Sequence, residues 1–114
     1  MLRGFLRGSG GSGGGGGMKR YDITASMTVP NVGYEILIVV TGAGGINLTL
    51  PAVTAARGFP VNVENKSAGT VTHVRAGADT IDGVGANFVL ASGYSSRLIS
   101  DRVSDWNVPD IERP

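Results

Sequence analysis

Apolar and polar positions alternate along most of this chain in short runs, a period of two that belongs to strands. Tyr21, Ile23, Ala25, Met27 and Val29 share one face, with Asp22, Thr24, Ser26 and Thr28 on the other, which predicts one half-buried strand over Tyr21–Val29. Pro30-Asn31-Val32-Gly33 then supplies turn chemistry. Tyr34–Thr41 is β-branched and continuously apolar in its middle, so it predicts a strand buried on both faces. Gly42-Ala43-Gly44-Gly45 reads as a hairpin turn, and Ile46, Leu48 and Leu50 alternate with Asn47 and Thr49 until Pro51 ends the strand. Ala52–Arg57 is the one stretch with helical flavour, at most two turns, closed by Gly58.

Alternation resumes at Phe59–Glu64, and Asn65–Gly69 is a polar turn before a strand over Thr70–Arg75. Ala76–Asp79 turns into a short Thr80-Ile81. Phe88–Leu90 and Tyr94–Ile99 flank a turn at Ala91-Ser92-Gly93, and Asp105–Val108 carries the single tryptophan, Trp106. No segment sustains a 3.6-residue period, and neither internal repeats nor coiled-coil heptads stand out. The predicted class is all-β: a small antiparallel sandwich or barrel of about eight short strands.

The first seventeen residues follow another rule. Nine of the chain's 19 glycines fall there, and from Gly8 to Gly17 every residue is Gly or Ser. Such a run has no apolar surface to offset the entropy of ordering it. The chain therefore divides into a Gly-rich extended N-terminal arm, 1–17, and a β domain, 18–114. Ahead of the glycines, Leu2, Phe5 and Leu6 interleave with Arg3 and Arg7. Three readings of this arm stay open: a disordered terminus, an anchor whose apolar residues dock on a partner, or an engineered extension before a natural start at Met18. Leu2–Leu6 is too short and too interrupted for a secretory signal.

Composition narrows the chemistry. A net charge of +1 gives no general electrostatic case for nucleic acid or an anionic membrane. The absence of cysteine removes thiolate nucleophiles, disulfides and sulfur-ligated metals. The longest wholly apolar run, Ile36–Val40, is far short of the ~20 residues of a spanning helix.

Candidate sites are few. Gly42–Gly45 follows a strong strand but lacks the Gly-Lys-Ser/Thr of a phosphate loop. Asp79 and Asp82, with Gly83 in the sequence GADTIDG, read as turn residues capping backbone; weak cation binding is the sharper reading. The single His73 reads as a surface or hydrogen-bonded histidine, unless three copies meet on a threefold axis to hold a metal or anion. Ser92, Ser95, Ser96 and Ser100 show no nucleophile elbow. Asn47-Leu48-Thr49 and Asn65-Lys66-Ser67 match a glycosylation acceptor. Tyr34, Tyr94 and Trp106 are candidates for an aromatic sugar platform, with core or interface packing as the plainer role.

From Gly42 to Val108 the order of motifs is recognisable. It runs Ile46-Asn47-Leu48-Thr49-Leu50-Pro51, Val61-Asn62-Val63-Glu64-Asn65, Thr70-Val71-Thr72 and Gly77-Ala78-Asp79-Thr80-Ile81-Asp82-Gly83. Leu90-Ala91-Ser92-Gly93-Tyr94, Leu98-Ile99-Ser100-Asp101 and Trp106-Asn107-Val108 complete it. This series resembles a β module of tailed-bacteriophage structural proteins: capsid decoration proteins, head fibres and tail fibres. Arg102-Val103-Ser104 and the glycine-rich Gly83-Val84-Gly85 depart from its usual loops.

The resemblance implies a homotrimeric virion component whose partners are itself and a major capsid or other virion protein. It implies no nucleic acid, membrane or cofactor, no enzymatic activity, and a location in the virion after synthesis in the host cytoplasm. The expected role is capsid decoration or a head fibre, attached through Leu2, Arg3, Phe5, Leu6 and Arg7, with GADTIDG placing Ile81 inward and its aspartates on backbone amides. The alternatives are a tail-fibre or tail-tip component contacting a host receptor and a stand-alone carbohydrate-binding module.

Overall fold

Five consecutive β-branched or Leu residues, Ile36–Val40, can be buried only if something packs on both faces of their strand. The computed structural model, which describes residues 18–56 and 59–112 (the last four by backbone alone), shows how. Among the described residues there are ten strands and no helix: β1 (Lys19–Ile23), β2 (Met27–Thr28), β3 (Ile36–Val40), β4 (Ile46–Thr49), β5 (Val61–Asn65), β6 (Val71–Val74), β7 (Thr80–Ile81), β8 (Phe88–Leu90), β9 (Ser95–Ser100) and β10 (Asp105–Glu112). They form a six-stranded sheet, β1-β3-β5-β9-β10-β7, and a four-stranded sheet, β2-β4-β6-β8.

The chain visits the two sheets in turn. β1, β3 and β5 are parallel neighbours in the larger sheet, and β2, β4 and β6 are parallel neighbours in the smaller. Parallel strands cannot be joined by a tight hairpin; they need a crossover. Here each crossover passes through a strand of the opposite sheet, so the chain winds as three coils of a solenoid-like spiral. The last elements reverse the winding: β8 runs antiparallel to β6, β9 to β5 and β10 to β9, while β7 lies parallel to β10 at the far edge.

The all-β class holds, but the antiparallel sandwich or barrel gives way to this coil. Period-two alternation reports which face of a strand is buried, not which strand lies beside it. The predicted strand Tyr21–Val29 is accordingly two strands in different sheets. Ala25 and Ser26 form an exposed corner between them, where Ser26 Oγ accepts the Asn47 amide at 2.9 Å. Gly42–Gly45 is likewise a corner between sheets, not a hairpin, with Gly42, Gly44 and Gly45 at positive φ. The helical flavour of Ala52–Arg57 amounts to one bonded turn, Ala56 N–H to Ala52 C=O at 3.0 Å, with Arg57 and Gly58 outside the described residues.

A repeat is also present. The second and third coils stack at a constant offset, Ile36 against Val61 and Ile46 against Val71, twenty-five residues on in both sheets. Their corners stack too: Lys66 N–H to Val40 C=O at 2.8 Å, Ala68 N–H to Gly42 C=O at 2.9 Å and Gly45 N–H to Thr70 C=O at 2.8 Å. Only Ala43/Ala68 and Gly44/Gly69 match in type across these corners. The repeat is therefore faint in sequence although it is regular in space.

The core lies between the sheets. Ile36, Ile38, Val40, Val61, Val63, Leu98 and Trp106 face it from one side, and Ile46, Leu48, Val71 and Leu90 from the other. Val53 and Ile81 close it from the connecting segments. Leu37 and Val39 are buried as well, on the outward register positions of β3 beside Asn62 and Glu64.

Candidate functional site

The polar residues of the recognisable motifs converge on the coil's corners. Asp79 Oδ2 accepts the Val53 amide at 2.9 Å, and Asp82 Oδ1 accepts the Val108 amide at 3.2 Å. Ile81 between them is 3 % exposed. Each carboxylate thus ties GADTIDG to a different distant segment, and φ values of +54° at Asp82 and +79° at Gly83 let the chain turn there. Asp105 Oδ1 accepts the Gly83 amide at 2.8 Å and the Thr80 hydroxyl at 2.6 Å. Asp101 Oδ1 accepts three successive amides, Val103, Ser104 and Asp105, at 2.8, 2.9 and 3.0 Å. These bonds hold its carboxyl below its ordinary pKa by favouring the charged form. Among the described residues no three His, Asp or Glu side chains come together as a metal site.

Asn65 does similar work inside. At 1 % exposure, its Nδ2 donates to the Gly69 and Leu90 carbonyls, both at 3.0 Å, and its Oδ1 accepts from the Ser67 amide at 3.0 Å and from the Ser67 hydroxyl. A glycosylation acceptor at Asn65 is therefore incompatible with the fold, whereas Asn47 faces outward on β4. Ser92 Oγ donates to the Ser67 carbonyl, and Ser100 Oγ to the Val53 carbonyl at 3.0 Å.

His73 is the hydrogen-bonded histidine of the two readings, not the surface one, and is fully enclosed between the sheets on β6, away from any threefold axis. Its Nε2 lies 3.0 Å from Ser96 Oγ on β9, and its ring meets Phe88 edge-on, centroids 5.2 Å apart. No carboxylate bonds to Nδ1 among the described residues, so no Ser-His-Asp arrangement is completed. Because Ser96 is equally enclosed, a substrate cannot reach the pair.

Burial lowers the His73 pKa to about 4, the larger effect, with the Val71 backbone working the other way. The folded state thus binds a proton less readily than the unfolded chain. Stability is complete above pH ~6.5 and falls as the unfolded histidine protonates, until the folded ring titrates near pH 4. Between pH 7.5 and 5 the expected loss is about 2 kcal/mol. Urea unfolding at the two pH values measures it, and His73→Leu should remove most of the difference.

The three aromatics of the sugar-platform reading are separated by burial. Trp106 is 1 % exposed and part of the core, Tyr94 is half-buried against it, and Tyr34 is exposed. Tyr21 lies on β1, its hydroxyl pKa raised first by burial and then by the Tyr34 phenol. The anchor residues Leu2, Arg3, Phe5, Leu6 and Arg7 lie outside the described residues.

One surface feature escaped the sequence reading. Where the segments leading into β3 and β5 meet, Pro30, Val32, Tyr34, Pro51, Phe59 and Pro60 rim a shallow pocket that reaches Ile36 and Trp106. Tyr34 and Phe59 are 37 % and 45 % exposed. Prolines and aromatics at turn positions read as stop signals one by one; only the coil brings them side by side. Comparison with protein-family models, curated proteins and solved structures returned no match.

Proposed function

We propose that this protein is a bacteriophage virion structural component, a capsid decoration or head-fibre protein that forms a homotrimeric β knob and attaches through residues 1–17. The motif series from Gly42 to Val108 is the reason for placing it in that world. The observation that carries a structural role is where the polar residues of those motifs go. Asn65, Asp79, Asp82, Ser92, Ser100, Asp101 and Asp105 all bond to backbone at coil corners. Residues that would carry chemistry elsewhere hold a scaffold here.

Three coils ended by the antiparallel β8 suit a knob better than a shaft. Among the described residues β1 and β2 end the two sheets on one side, and β7 and β8 on the other. Strand edges of this kind invite pairing with other copies unless covered.

Light scattering on the full chain is expected to give three times the monomer mass. A chain starting at Met18 should keep that mass but lose co-sedimentation with virion particles. A monomer would overturn the trimer, and retained co-sedimentation would overturn attachment through the arm.

A further inference from the structure

We propose that the proline- and aromatic-rimmed pocket is the docking site for the chain's own N-terminal segment, with Leu2, Phe5 and Leu6 as its occupants. Nothing in this depends on a virion partner; it concerns where the segment rests in the free protein.

Position is the first support. β1, β3 and β5 are parallel and in register, so Met18, Glu35 and Pro60, the residues just before each, form a row across one end of the sheet. Lys19 N–H bonds to Glu35 C=O at 3.2 Å, Ile36 N–H to Pro60 C=O at 3.3 Å, and Met18 Sδ lies 3.7 Å from Asn62 Nδ2. Two strand spacings put Pro60 about 10 Å from the root of the segment. Tyr34 and Phe59, the exposed rings of the rim, are the next residues back from Glu35 and Pro60.

Reach is the second. Gly8–Gly17 is ten Gly/Ser residues, whose root-mean-square span is about 17 Å. The tether is long enough to return to this pocket, yet short enough to hold its tip there at millimolar effective concentration.

Chemistry is the third. Among the described residues the rim is made of rings, prolines and Val32, and the Asn31 amide on it is spent on the Ala55 carbonyl at 2.8 Å. At the base, Trp106 closes the pocket at 1 % exposure. An apolar peptide segment supplies what such a rim takes, Leu and Phe side chains. The pocket is too shallow for the enclosure that small-molecule sites provide.

The test uses the full chain and its lack of cysteine. Gly4→Cys gives a single attachment point for a nitroxide, and Trp106 gives the single indole N–H signal in a nitrogen-15 spectrum. With the label attached, the Trp106 indole and the Tyr34 and Phe59 amides should lose most of their intensity, while Thr72 and Val89 on the smaller sheet keep theirs. Adding Leu2→Ser, Phe5→Ser and Leu6→Ser together should restore the lost signals. An unchanged Trp106 signal in the labelled chain overturns the proposal, as does loss that survives the triple substitution. Co-refolding isotope-labelled, spin-free chain with spin-labelled, isotope-free chain should leave the isotope-labelled signals intact; loss there assigns the pocket to a second copy's segment and overturns docking within one chain.

Discussion

Gly44→Ala is expected to destabilise the fold by about 4 kcal/mol, enough to leave much of a marginally stable domain unfolded. Two costs combine. Gly44 sits at φ +80°, where a Cβ strains the backbone by about 1–2 kcal/mol. The added Cβ would also stand 2.5 Å from both Cα and N of Gly69 in the next coil, and 2.6 Å from Ser67 Oγ. Backbone cannot swing aside as a flexible side chain can, so relief requires the two coil corners to separate, breaking the Gly45–Thr70 and Ala68–Gly42 bonds between them. Gly45→Ala is the control. It has φ +69° but nothing within 4 Å of the methyl that alanine would add, so it should cost only about 1 kcal/mol. Urea midpoints for the two variants measure the difference; similar losses would mean that the coils do not stack closely at Gly44 and Gly69.

Asn65→Ala should cost a similar amount, about 4 kcal/mol, because it orphans several groups at once. The Gly69 and Leu90 carbonyls lose their donor, and the Ser67 amide and hydroxyl lose their acceptor, in a place where water does not reach. These bonds join the third coil to its own corner and to β8, so the reversal of winding should loosen with them. Asn65→Asp is expected to be worse at neutral pH, since a carboxylate oxygen would face two carbonyls. Asn47→Ala, on an exposed position of β4, should shift stability by no more than about 0.5 kcal/mol. Amide hydrogen exchange at Leu90 and Gly93 would localise the damage; protection unchanged there would contradict the bracing role.

Several features were legible because they are local. Ile36–Val40 announces a strand covered on both faces, and Ile46, Leu48 and Leu50 a strand covered on one, as found. The turns at Ala76–Asp79 and Ala91–Gly93 follow from glycines that adopt positive φ at Gly77 and Gly93. Ile81 and the aspartates of GADTIDG combine an apolar residue that must go in with short carboxylates able to reach amides, and both happen.

Other features were not. Ala25 and Ser26 continue the alternation of their neighbours, so the corner between β1 and β2 leaves no trace in the pattern. His73 could be read as a surface or a hydrogen-bonded histidine, and what makes it the second is Ser96, twenty-three residues on and in the other sheet, which no local pattern relates to it. The pocket joins Pro30, Tyr34, Phe59 and Trp106 across four segments, none of which contains a binding motif.

By itself, then, the amino-acid sequence determined the all-β class, most strand positions, the inward faces and the glycine- and aspartate-dependent turns, since each depends on side chains within a few residues. The tertiary structure alone decided that the strands wind in parallel coils, that the second coil lies twenty-five residues over the third, and that His73 is enclosed. Burial is a property of one strand, whereas adjacency is a property of two, and two strands with the same alternation accept many neighbours equally well. What breaks that tie here is backbone stacking at Gly44 and Gly69 and the bonds of Asn65, interactions between residues that no local pattern relates.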